Sequence, residues 1–231
     1  MDQSMKPLDA VYGGAFAQQR QRVLRNTYAL LALSMVPTVL GAWLGVAFNF
    51  SFFTGSPLIG LVLFMAISFA FFFGIEKYKN SGVGVLLLLG FTFFMGLMLS
   101  RMIGTVLGFK NGAQLISLAF GGTAVVFVSM ASLASTIKRD ISAWGKWLFM
   151  GVIVLLLAGV ANIWLQLPAL MLTVSAMAVV IFSAFILFDL KRIVDGGETN
   201  YVTATLAVYL DVYNVFQSLL SILGMLGGER D

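Results

Sequence analysis

Seven apolar runs, each about 20 residues long, divide this chain near 26–48, 57–75, 83–107, 113–137, 146–166, 168–193 and 200–227. A helical residue rises about 1.5 Å, so a helix needs about 20 apolar residues to cross a hydrocarbon core. Barrel strands would be about ten residues long and would alternate apolar with polar. Stretches such as GVLLLLGFTFF and MGVIVLLLAGV do not alternate. The hydrophobic share is 60% and the charged share only 10%, which places the chain in a bilayer. The expected fold is an all-α integral membrane protein, a seven-transmembrane helix bundle.

The charges sit mostly between the runs and alternate in side. Lys6, Arg20, Arg22 and Arg25 precede the first run, and EKYKN (Glu76 to Asn80) follows the second. KRDISAWGK (Lys138 to Lys146) follows the fourth, and Lys191 with Arg192 closes the sixth. Basic residues favour the cytoplasmic side, so the N-terminus is expected in the cytoplasm and the C-terminus, after seven crossings, on the far side. The net charge of +4 is thus a topology signal and implies no nucleic-acid partner. Residues 1–25 read as a flexible cytosolic N-terminal tail and 26–227 as the seven-helix transmembrane domain. The tight Gln166 to Pro168 turn makes the fifth and sixth helices antiparallel neighbours. Small residues four apart, Gly41 with Gly45 and Gly104 with Gly108, would let helices approach closely.

With no Cys and no His, the chain has no disulfide, thiol or imidazole chemistry. Attention falls on carboxylates, because an ionised one at mid-membrane costs about 2.5–3.5 kcal/mol on insertion scales. Asp211 lies about eleven residues into the last run, near the bilayer centre. Asn214, Ser218 and Ser221 follow at spacings of three, four and three, which put all four on one helical face. This polar seam should face the bundle interior, so the C-terminal helix should be central. Asp189 lies near the cytoplasmic end of the sixth run. It either pairs with a neighbouring base at the interface or meets Asp211 across a hairpin whose turn is Asp195-Gly196-Gly197-Glu198, with Thr199 or Asn200 capping the next helix. Counted from Gly196, straight helices would leave the two carboxylates about 12 Å apart in depth. If they meet, both cannot ionise cheaply, and they share a proton or offer hard oxygen ligands to Ca²⁺. Arg101, near the far end of the third run, either snorkels to the interface or serves as counter-ion to a bundle carboxylate. Asn162 should satisfy backbone groups near the turn at Gln166. An intramembrane aspartyl protease would also use two aspartates, but Asp211 follows Val-Tyr-Leu and not the Gly-x-Gly that such enzymes carry. No catalytic site is expected.

FDLKRIVDGGETNYVTATLAVYLDVYNVFQSLLSILG resembles the C-terminal signature of the Bax-inhibitor-motif family of seven-helix membrane proteins. LRNTYALLALS, GGTAVVF, VANIWLQLPAL and GGETNY resemble its bacterial YccA branch more closely, and the similarity runs from about Leu24 to Gly224. The resemblance implies a fold wrapped around a central final helix. It implies a pH-sensing aspartate pair in a Ca²⁺ leak pathway, which falls on Asp189 and Asp211. The family's second-helix latch arginine has no counterpart in SPLIGLVLFMAISFAFFFGI, and Arg101 is the candidate replacement. The YccA branch implies a non-enzymatic partner of FtsH, the membrane-anchored AAA+ protease, in the bacterial inner membrane, with the N-terminal tail as a handle. No cofactor other than Ca²⁺ is implied.

Overall fold

The computed structural model describes residues 6–50 and 57–228. Among them it contains seven helices and no strand: α1 Lys6–Ala47, α2 Pro57–Tyr78, α3 Gly82–Leu107, α4 Gly112–Thr136, α5 Trp144–Leu165, α6 Pro168–Val194 and α7 Tyr201–Gly227. Each is long and apolar enough to cross a membrane. The spans agree with the sequence expectation at every helix except the first. There the helix begins at Lys6, so most of the segment expected as a tail is helical, while residues 1–5 lie outside the described part. Its 42 residues reach about 63 Å, twice the thickness of a hydrocarbon core. Hydropathy marks only the stretch inside the lipid, whereas AFAQQRQRVLR is built largely of good helix formers and continues the same helix outside it.

α7 is the hub. It packs against α1, α2, α3, α4 and α6, and α5 lies outside this group against α6. Val202, Val208, Tyr209 and Val215 of α7 are buried with Leu88, Phe91, Ile186, Leu190 and Ile193 in the main core. A second small core at the far end joins Leu220 to Val106, Leu115 and Ala119. Large apolar side chains such as Phe69, Phe73, Trp147 and Leu157 point outward, as lipid-facing helices require.

The closest approach is between α1 and α3. A Cβ on Gly96 would lie 2.9 Å from the carbonyl carbon of Thr38, and one on Gly41 would lie 3.1 Å from the nitrogen of Leu97. Only hydrogen fits at either position. Gly45 meets Ser100 in the same way, but Gly104 and Gly108 do not mediate close packing, since a Cβ on Gly104 would stand 3.9 Å from Val46 and Gly108 faces its own chain. At one end of the bundle, Arg20 Nη1 donates to the Val194 carbonyl (3.5 Å), and Asn200 Nδ2 donates to the Lys79 carbonyl (3.2 Å). The base of α1, the α2–α3 turn and the α6–α7 turn therefore meet, and this is the basic end. At the opposite end Asn111 Nδ2 donates to the Gly227 carbonyl (2.6 Å).

Candidate functional site

The site is built on the α6–α7 hairpin. α6 stops because Gly196 adopts φ 84°, a left-handed conformation that suits glycine, and Gly197 N–H closes the helix end on the Arg192 carbonyl at 2.8 Å. Asn200 starts α7: its Oδ1 accepts from Val202 N–H (2.9 Å) and Thr203 N–H (3.3 Å). Its Nδ2 also holds Asn80 Oδ1 at 2.8 Å. Between them Glu198 Oε1 accepts the Thr199 and Asn200 amides, each at 2.9 Å, and its other oxygen is 3.5 Å from Arg192. Lys191, buried at 7% exposure, is paired to Asp195 Oδ1 at 2.5 Å. The analogous turn at the other hairpin is made by Gln166 at φ 50°, with Asn162 Oδ1 accepting the Leu167 amide at 2.9 Å.

This hairpin places Asp189 and Asp211 close enough for their carboxyl groups to act on each other. Asp189 is five residues from the end of α6 and Asp211 ten from the start of α7, an offset of about 7.5 Å by helical rise. The remaining gap closes for a directional reason. In a helix the Cα–Cβ bond leans toward the N-terminus, so Asp189 leans deeper and Asp211 leans toward the basic end, each toward the other. Asp211 is 6% exposed, and its Oδ2 has no hydrogen-bond partner. Asp189 is half-buried, with the charges of Arg192 and Glu198 acting on it.

The polar seam divides. Ser218 and Ser221 are buried, and Ser221 Oγ accepts from Ser175 Oγ of α6 at 3.1 Å. Asn214 is only half-buried and turns its Nδ2 back to the Leu210 carbonyl at 2.7 Å. A second polar face of α7, absent from the sequence reading, packs on α1 and α3. Tyr209 Oη is 2.9 Å from Thr38 Oγ1 and 3.4 Å from the Thr92 carbonyl, and Tyr213 Oη donates to the Met95 carbonyl at 3.2 Å. Their i, i+4 spacing was the available signal; Ser175 had none.

Arg101 is not the counter-ion. It is exposed and makes no ion pair with any described residue. The bundle face of α3 carries Phe91, Thr92, Met95, Leu99 and Ser100, and Arg101 falls beside that face. It also lies nineteen residues, about 28 Å, from the basic end of α3, against about 15 Å for Asp211 on α7. For a cation, two carboxyls are short of the six to eight oxygens that surround Ca²⁺. Among the described residues no third Asp or Glu joins them.

Seven membrane-length helices, five of them packed on the central last one, with two carboxyl groups close together inside, define a multi-pass membrane protein whose distinctive polar centre is the α6–α7 hairpin. Residues 20–228 match the family model described as inhibitor of apoptosis-promoting Bax1, and the chain belongs to that family. An uncharacterised protein of Neisseria meningitidis serogroup A is 37% identical over 93% of this chain and 96% of its own length. The modulator of FtsH protease YccA of Escherichia coli K12 is 40% identical over 88% of this chain and 90% of its own. The inner membrane protein YccA of Escherichia coli O6:H1 matches over the same shares at the same identity.

Proposed function

We propose that the protein is an inner-membrane partner of the FtsH protease that binds and modulates it, without catalysing a reaction of its own. The observation that carries this reading is the 40% identity, over nearly the whole chain, to a protein named for modulating that protease. The gathering of Arg20, the Lys79 turn and the Arg192 turn at one end supports an orientation with that end in the cytoplasm and the C-terminus in the periplasm. α1 then extends from the membrane on the side where an AAA+ ring would meet it. The test is affinity capture of FtsH from solubilised membranes by the tagged full-length protein and by a form lacking residues 1–20, with the turnover of each followed. The full-length protein retains FtsH, and the truncation weakens capture or slows turnover. Absence of FtsH with the full-length protein would remove the reading.

A second reading is favoured by the proximity of Asp189 and Asp211: a pH-sensitive Ca²⁺ leak gated by this pair. Two carboxyls in a low-dielectric site share a proton when it is closed, and separate or bind a cation when the proton leaves. Proteoliposomes loaded with a Ca²⁺ indicator test it on both sides of neutral pH. The wild type shows pH-dependent flux, and flux that ignores Asp211→Asn would eliminate the gate.

A further inference from the structure

At the basic end, α1 carries a groove of about 560 Å³ lined by Gln18, Gln21, Arg22, Leu24, Arg25 and Tyr28. Residues 18, 21, 22, 25 and 28 share one helical face by their spacing. The two guanidinium groups are exposed, and neither pairs with a carboxylate among the described residues. Three other cations at this end are occupied: Lys79 by Glu76, Lys191 by Asp195 and Arg192 by Glu198. Arg20, on another face of α1, is turned onto the α6–α7 connection, which fixes the rotation of the helix and leaves Arg22 and Arg25 directed away from that contact. The groove floor is apolar. Leu24 and Tyr28 are half-buried against the main core, and Tyr28 stands edge-on to Phe127 of α4 with ring centroids 6.0 Å apart.

Depth says what such a groove would meet. Asn26 to Ala47 is free of charge for 22 residues, about 33 Å of helix and close to the thickness of a hydrocarbon core. Arg25 therefore stands at the edge of the acyl region and Arg22 about one turn outside it, the level of lipid phosphates. A planar guanidinium binds a phosphate through two parallel hydrogen bonds. The carboxamide of Gln21, level with Arg22, and that of Gln18, one turn further out, suit a hydroxylated headgroup, and the apolar floor suits the start of an acyl chain. We infer that this groove is a binding site for an anionic phospholipid, the two arginines holding its phosphate, independently of either functional reading above. An acidic protein segment would satisfy the arginines but not the apolar floor at membrane depth.

The test uses the full-length protein in uncharged detergent, with thermal stability measured against added short-chain phosphatidylglycerol, phosphatidylcholine or inorganic phosphate. Phosphatidylglycerol raises the melting temperature saturably, and the other two do not. Arg22→Gln and Arg25→Gln each weaken the apparent affinity about fivefold, and together about 25-fold, the worth of one basic group each at an anionic surface. Arg139→Gln, an exposed cation at the same end but outside the groove, leaves it unchanged. A photoactivatable phosphatidylglycerol then labels the peptide containing residues 18–28. The inference is overturned if inorganic phosphate gives the same shift, if phosphatidylcholine does as well, if Arg139→Gln costs as much as Arg22→Gln, if a polyglutamate peptide displaces the lipid at lower concentration, or if the label falls elsewhere.

Discussion

Replacing Gly96 by alanine would test the α1–α3 contact that holds the first helix against the hub. The added carbon would sit 2.9 Å from the Thr38 carbonyl carbon and 3.0 Å from the Ala42 nitrogen, whereas carbon atoms in comfortable contact are about 3.5–4.0 Å apart. Both obstacles are backbone of a packed helix, so no rotamer change relieves them and α1 must move away by more than half an ångström. Overpacking of this kind costs about 1–3 kcal/mol, and obstruction by backbone places it near the upper end. Alanine returns about 1 kcal/mol of helix propensity. The net loss is about 2 kcal/mol, or a fall of about 4–8 °C in melting temperature for a chain of this size. Gly121→Ala, with nothing within 4 Å of the new carbon, receives only the propensity gain and should melt higher. Scanning fluorimetry of both variants in one detergent decides the matter. A Gly96→Ala protein as stable as the wild type would refute the close approach of α1 and α3.

Removing the α7 cap by Asn200→Ala should cost about 1 kcal/mol for the lost acceptor, while Asn200→Asp, which keeps the acceptor but loses the donor to Asn80 and Lys79, should cost less; amide exchange at Val202 and Thr203 reports the difference. Tyr209→Phe deletes the bond to Thr38 inside the core and should destabilise the protein by about 1 kcal/mol, seen as a lower melting temperature without loss of helix by circular dichroism. Asp140, on the α4–α5 connection, accepts the Ser142 amide at 2.8 Å, and that bond holds its carboxyl below the usual aspartate range. A lowered folded-state value contributes stability above the ordinary aspartate pKa, and that contribution disappears as pH falls through the lowered value. Asp140→Asn should therefore melt below the wild type at neutral pH and converge with it in strong acid; a constant difference across the titration would contradict this.

The parts of this structure that the sequence made legible are those the bilayer enforces. Lipid offers no hydrogen bonds, so the chain must cross as helices of about 20 apolar residues. Asp211, expensive in lipid, had to be turned inward, and its inward face made α7 central. Glycine and asparagine at the α6–α7 turn carried their own local chemistry, which Gly196 and Asn200 follow. What escaped was set by relations between helices. The outward helix of residues 6–25 is not apolar and gave hydropathy nothing to detect. Ser175 finds Ser221 only through the packing of α6 on α7. Arg101 was left with two readings because which face of α3 meets the bundle depends on the glycine contacts with α1. The 12 Å separation counted for the aspartates assumed a helical rise through a connection that is not helical, and it left out the opposing lean of the two side chains.

The central claim is that the carboxyls of Asp189 and Asp211 meet inside the bundle. The chain has no cysteine, so thiols can be placed at will. In the double variant Asp189→Cys, Asp211→Cys, mercuric ion should bridge the two thiols and hold together the halves of a chain cleaved within residues 195–200. Ser175→Cys with Ser221→Cys, whose hydroxyls lie 3.1 Å apart, should behave likewise, and Arg101→Cys with Asp211→Cys should not. Bridging of the serine-derived pair without bridging of the aspartate-derived pair would contradict the account.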